Sequence, residues 1–171
     1  MITLEPETIR TARLDLLPLR VGHAGEMAVA LSDPGLHAFI GGTPSTVQEL
    51  RARYERLVAG SPRPGESWCN WVVRLRDAAC LTGYVQATVT ADERGAVAEI
   101  AWVVGTPWQG RGIASEAARS LVAWLRKHPV HTVVAHIHPG HGASAAVATA
   151  AGLAPTDRWH DGEVRWQLTI S

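Results

Sequence analysis

Apolar positions along this chain repeat in two periods, and the switches between them mark out its elements. Residues 8–19 read as a first strand, with Leu14, Leu16, Leu17 and Leu19 apolar and Pro18 marking an edge or a strand end. Residues 23–31 form a short helix that stops at Asp33-Pro34-Gly35. Residues 36–42 read as a loop or a helical turn. Thr46 followed by Glu49 is a capping box, and it opens a helix with Val47, Leu50, Tyr54, Leu57 and Val58 on one face. A glycine- and proline-rich loop over 60–65 ends that helix. Alternation then returns. Residues 68–75 and 81–90 are strands; in the second, Tyr84, Gln86 and Thr88 point one way and Val85, Ala87 and Val89 the other. Asp92-Glu93-Arg94-Gly95 connects to a third alternating stretch over 97–104.

Helical spacing resumes over 115–127, where Ala117, Leu121, Trp124 and Leu125 make the apolar stripe and Pro129 stops the helix. Residues 131–137 form a compact strand, and 143–151 an alanine-rich helix that ends at Gly152. Two strands over 155–159 and 163–170 close around Asp161-Gly162, a hairpin signal. The order β, α, α, β, β, β, α, β, α, β, β predicts a mixed α/β (α+β) fold. Its sheet has about seven strands, mostly antiparallel, and carries helices on both faces. With 171 residues, the chain fits one domain spanning 1–171.

Composition narrows the classes. The chain is 46% hydrophobic and 19% charged, which is globular rather than disordered. Lys plus Arg equals Asp plus Glu at 16 each, so neither a broad nucleic-acid surface nor an acidic-lipid surface is expected. No apolar run reaches the roughly 20 residues that span a bilayer, and residues 1–10 lack a signal-peptide core. The two cysteines, Cys69 and Cys80, have no CxxC spacing and suggest reduced thiols in a cytosolic protein, although sequence leaves a disulfide open.

The chemistry concentrates at Gln109-Gly110-Arg111-Gly112-Ile113-Ala114, between a strand and a helix. A helix start offers about four unpaired N–H groups and roughly half a positive charge. Glycines let a phosphate approach that backbone. The turn is not a Walker loop, because no G-K-[ST] follows, and it lacks the third glycine and downstream acid of a dinucleotide fold. Alone it argues for an anion at a helix start, or simply for a tight corner.

Its context resembles the GCN5-related N-acetyltransferases. That family carries Q/R-x-x-G-x-G/A between its fourth strand and third helix, and Gln109, Gly112 and Ala114 fill those places. Trp102-Val103-Val104 and Pro107 are similar to the family's strand and exit turn. His141, Ser144 and Gly152-Leu153 follow the spacing of its downstream Asn, small residue and Gly-Phe. Thr11-Ala12-Arg13-Leu14-Asp15-Leu16 resembles the opening of the branch that acetylates ribosomal-protein N-termini and small amines.

The resemblance implies direct transfer of acetyl from acetyl-CoA to an amine, with no metal. Backbone N–H groups of Gly110, Arg111, Gly112, Ile113, Ala114 and Ser115 would cradle the pyrophosphate. Arg111 would add a charged contact or remain solvated. The fourth and fifth strands would splay to admit the pantetheine beside Trp102, Val103 and Val104, with an N–H near Val103 or Val104 polarising the thioester. Glu99 is the candidate base, or else a paired or solvated carboxylate. The tyrosine that many relatives use as acid is replaced by Ala148. Ser144 is then the hydroxyl best placed to protonate the thiolate, unless it caps the helix or binds CoA. His141 stands where an Asn is usual, and would offer CoA an imidazole instead.

For the acceptor amine, the expected lining is His37 and Phe39 from the early loop, Trp68 and Asn70, then Tyr84 and Gln86, with Trp159 as an outer candidate. The histidines at 136, 138 and 141 have a spacing that suits zinc or a polar surface, and a surface is the reading adopted. Other readings stay open: a CoA-binding module without catalysis, a transferase using another acyl-CoA, or an unrelated mixed α/β enzyme binding another phosphate ester. A homodimer paired through a sheet edge or the C-terminal strands is also left open.

Overall fold

The alternating stretches join into one open sheet. The computed structural model describes residues 3–170, except the side chains of Phe39 and Ile40. Its strands are β1 (Ile9–Arg10), β2 (Leu14–Pro18), β3 (Glu66–Leu75), β4 (Cys80–Asp92), β5 (Gly95–Val104), β6 (Val130–Ile137), β7 (Ala154–His160) and β8 (Glu163–Thr169). The helices are α1 (Ala24–Ala30), α2 (His37–Ile40), α3 (Val47–Ala59), α4 (Ile113–Leu125) and α5 (Gly142–Ala150). The eight strands run β1-β2-β3-β4-β5-β6-β8-β7 across the sheet. Among the described residues, only β5 and β6 pair in parallel.

Eight strands replace the expected seven because the first stretch breaks at residues 11–13. Arg76 causes the break. Its guanidinium donates to the carbonyls of Thr11 and Ala12 at 2.6 Å each, in the place of a strand neighbour, and to that of Leu14 at 2.5 Å. The capping box at Thr46 and Glu49 is present, with reciprocal bonds of 3.1 and 2.9 Å. The apolar face of α3 is narrower than its spacing suggests. Leu50 and Tyr54 are buried, but Val47 and Val58 remain 39% and 53% exposed, because both lie at one margin of the stripe. Burial of Tyr54 is the main reason its phenol is pushed up to about 12. The motif helix begins at Ile113 rather than 115, because Gly112 caps it with φ +77°.

Each face of the sheet packs its own core. On one face, α4 and α5 cover Leu14, Leu16, Trp71, Val73, Ile100 and Val133, and the stripe Ala117, Leu121, Trp124 and Leu125 points inward as its spacing requires. Trp71 meets Trp124 edge to face at 5.1 Å, and both indole N–H groups donate to Glu7. On the other face, α1 and α3 close over Ala24, Met27, Leu50, Tyr54, Val72 and Leu81. Cys69 and Cys80 are free thiols, and burial pushes the Cys69 thiol up to about 12. Among the described residues, no helix is long and apolar enough to cross a membrane.

The sheet opens where its one parallel pair ends. Pairing between β5 and β6 runs from Ala96 with Val130 to Glu99 with Val134 and stops there. Beyond that point β5 continues to Val104, still paired with β4, while β6 continues to Ile137, paired with β8. The two strands therefore diverge into a fork with its crotch at Glu99.

Candidate active site

Two concave regions lie on opposite faces of the sheet. The larger is a cleft of about 670 Å³ on the α4/α5 side. Trp102, Val103 and Val104 of β5 form one wall, and Trp108, Gln109, Gly110, Gly112, Ile113, Ala114 and Ser115 form its end. The start of α5, with His141 and Ser144, makes the other wall. Asp33, Gly35 and Leu36 add a lip that the sequence did not suggest. The Asp33 carboxylate accepts from Gly35 N–H at 3.0 Å, and this bond leads the effects, Thr106 following, that hold its carboxyl below the usual range.

The turn at the cleft end depends on its glycines. Gly110 and Gly112 have φ of +76° and +77°, which side chains other than glycine adopt only with strain. The helical ladder begins with Glu116 N–H bonded to the Gly112 carbonyl at 3.0 Å. The N–H groups of the preceding turn thus have no acceptor within the helix, and the residues that line the cleft end include Gly112, Ile113, Ala114 and Ser115. Gln109 lines the cleft end and is also tied to the backbone. Its amide donates to the Val104 carbonyl at 3.0 Å and ties the turn to the end of β5.

A second clamp escaped the sequence reading. Glu116 accepts from Thr11 Oγ1 at 2.5 Å, from Arg13 N–H at 3.0 Å and from Arg13 Nε at 2.7 Å. The same Arg13 donates from Nη1 to the Arg111 carbonyl at 2.9 Å. The bend between β1 and β2 therefore holds the turn in shape. Burial alone would raise the Glu116 carboxyl, but these donors and the Arg13 charge outweigh it and bring it below the usual range. The Thr11-to-Leu16 opening carried this signal, but only as a resemblance. Arg111 lies outside the cleft lining, its guanidinium 5.1 Å from the centre of the Trp108 ring.

Ser144 does not cap its helix; His141 occupies the N-cap position of α5. The Ser144 hydroxyl stands 3.4 Å from His141 Nε2, at the cleft wall. Burial, then the neighbouring His138, lowers the His141 pKa, so its imidazole is neutral near pH 7. Ala148, where a tyrosine was expected, is fully buried in the core one turn further on. That position therefore carries no hydroxyl toward the cleft.

The smaller region, about 190 Å³, lies on the α1/α3 side. It brings together His37, Asn70, Tyr84 and Gln86, as anticipated, with Arg53, Ser45, Tyr54 and a floor of Leu31, Leu50 and Leu57. Strand register explains the grouping: Asn70 stands opposite Gln86, Gln86 opposite Ala101, and Tyr84 opposite Val103. Burial raises the Tyr84 phenol, keeping it protonated. Trp68 is not part of this lining, because its indole N–H donates to Glu66 at 3.0 Å. Trp159 lies on the outermost strand, 61% exposed and away from both regions. The side chain of Phe39 falls outside the described residues.

Glu99 lines neither region. It faces the same side of the sheet as Thr88, Gln86 and Tyr84, and its carboxylate lies 2.6 Å from His136 Nδ1. Among the described residues, no group of three or more His, Cys, Asp or Glu could hold a metal ion.

Comparison with known proteins agrees with this geometry. A family model described as the acetyltransferase (GNAT) domain matches residues 13–154. The chain belongs to that family, and it is an acyltransferase. No protein of curated function matches it in sequence. Among solved structures, it is similar to a GNAT-family acetyltransferase from Bacillus anthracis. The TM-score is 0.80 at 18% identity, covering 96% of this chain and 99% of that one. It is also similar to RimL, a ribosomal L7/L12 alpha-N-protein acetyltransferase in complex with coenzyme A. That match has a TM-score of 0.80 at 16% identity, covering 96% and 98%. A third is AAC(6')-Ib in complex with paromomycin and acetyl-CoA, with a TM-score of 0.73 at 18% identity, covering 92% and 93%. At these identities the structures show a shared fold.

Proposed function

We propose that this chain transfers the acetyl group of acetyl-CoA directly to an amine, on a small molecule or a protein N-terminus. The observation that carries the reading is the fork between β5 and β6, with the glycine-turn cleft along β5 on one face and the polar pocket over β3 and β4 on the other. The pyrophosphate would sit on the N–H groups of Gly110 to Ser115, and the pantetheine would run along Trp102 to Val104 into the fork. The thioester then reaches the level of Glu99, where the amine meets it from the α1/α3 side. A β5 N–H near Val103 or Val104 polarises the carbonyl as charge develops on its oxygen.

Two proton movements complete the reaction. The ammonium of the acceptor must lose a proton before nitrogen can attack, and Glu99 stands on that side. The departing thiolate must gain one, and Ser144 stands on the cleft side. The two unpaired thiols suit a reducing compartment such as the cytosol.

Incubating the protein with acetyl-CoA and a panel of primary amines, with free thiol as the readout, tests the reading. Amine-dependent thiol release is expected, and Ser144→Ala should lower it by about tenfold or more without weakening CoA binding. Tight CoA binding with no release on any amine would instead favour a binding module. Wild-type turnover in Ser144→Ala would remove Ser144 as the acid.

A further inference from the structure

The fork is bridged at its crotch by one pair of side chains. Backbone pairing ends at Glu99 with Val134; two residues further along β6, on the same face, stands His136. Its Nδ1 meets Glu99 Oε1 at 2.6 Å. The imidazole is well enclosed, with a side-chain exposure of 16%, whereas the carboxylate is 54% exposed. The His160 ring of β7 lies 5.0 Å away at a tilt of 40°, with Asp161 3.3 Å from His160 Nε2. Arg165 of β8 stands opposite His136 in register. The charged and titratable groups around His136 are therefore Glu99, Arg165, His160 and, behind His160, Asp161.

A neutral imidazole bonded to a carboxylate carries its proton on the bonded nitrogen, which fixes the tautomer and leaves the other nitrogen with its lone pair. The same logic aligns the histidine of a serine-protease triad. Resting on the acetyl-transfer reading above, we propose that His136 is the residue that accepts the amine proton, and that Glu99 is its positioning carboxylate rather than the base itself. His136 Nε2 takes one proton from the acceptor ammonium. The freed nitrogen forms its bond to the thioester carbonyl carbon, and the carbon–sulfur bond breaks. A second proton leaves the nitrogen as the amide forms; Ser144 Oγ passes it on, giving its own to the sulfur and regaining one. The imidazolium then releases its proton to water.

Four proteins decide the matter: wild type, His136→Gln, His136→Ala and Glu99→Gln, the alanine variant also standing in should His136→Gln misfold. Thiol release with a primary amine is followed across pH, CoA affinity by calorimetry, and the His136 tautomer by nitrogen NMR. His136→Gln should lose about a hundredfold in kcat. It should also lose the acid limb of the wild-type kcat/KM profile, with CoA affinity within about twofold. Glu99→Gln should lose less, about tenfold, with the tautomer no longer fixed. Added imidazole should restore part of the turnover of His136→Ala. Wild-type turnover in both His136 variants, with a larger loss in Glu99→Gln, would overturn the proposal and make the carboxylate the base. If wild type acetylates no amine, the reading above fails and takes this one with it. In an active wild type, a proton on Nε2 rather than Nδ1 would overturn this one alone.

Discussion

The two sides of the fork are made of different material. On the α4/α5 side, the proposed CoA site is backbone: N–H groups at a helix start, two glycines with positive φ and the edge of β5. On the α1/α3 side, the proposed acceptor site is side chains: Asn70, Tyr84, Gln86, His37 and Arg53 from β3, β4, α2 and α3. A backbone site tolerates changes of side chain but not of conformation. A side-chain site behaves the other way, which lets one cofactor half serve many acceptor halves. The difference sets the order in which substitutions should matter.

Gly112→Asp should have the largest effect. It places a side chain at φ +77°, at a strain of about 1–2 kcal/mol, and puts a negative charge where the pyrophosphate would lie. CoA affinity should fall by about a hundredfold or more by calorimetry, the equivalent of about 2.7 kcal/mol. Unchanged affinity would mean that the turn holds no phosphate and would dissolve the contrast between the halves.

On the other side, Asn70→Leu and Gln86→Leu should each raise the KM for the amine by about tenfold, the scale of one lost hydrogen bond. CoA affinity should not change in either variant. A parallel loss of CoA binding would show that the two regions are one site.

That contrast also explains what could be read from sequence. Gln109 to Ala114 lies within a few residues of chain, so glycine spacing and strand–turn–helix order were enough to place the turn. The capping box at Thr46 and the stripe from Ala117 to Leu125 are legible for the same reason. The acceptor pocket depends on register between distant strands. Alternation gives the face of Gln86, but helical spacing does not place Arg53 of α3 beside it. Trp68 lies outside the lining of that pocket, and nothing in the sequence reveals its bond to Glu66. Glu99 was singled out, but not with His136, a partner 37 residues away on a strand that parts from its own. The break at 11–13 follows from the Arg76 side chain, which strand periodicity does not register.

Glu116 sharpens the picture at smaller scale, because it holds the backbone half in shape from outside. Glu116→Gln should destabilise the fold by about 1–2 kcal/mol in urea at pH 7, with CoA affinity falling severalfold. The sign of the pH effect follows from a folded pKa held below the ordinary 4.5. The contribution is fully present above that value and is lost as pH falls through the folded pKa. The gap between wild type and variant should therefore narrow in acid, and a constant gap would mean that charge plays no part in the clamp.

The most direct test of the central claim is a titration of CoA followed by backbone amide shifts. A cofactor seated through the cleft into the fork should move the amides of Trp102 to Val104, Gly110 to Ser115 and His141 to Ser144, and should leave those of α1 and α3 in place. Shifts confined to the α1/α3 side, or none at the glycine turn, would contradict it.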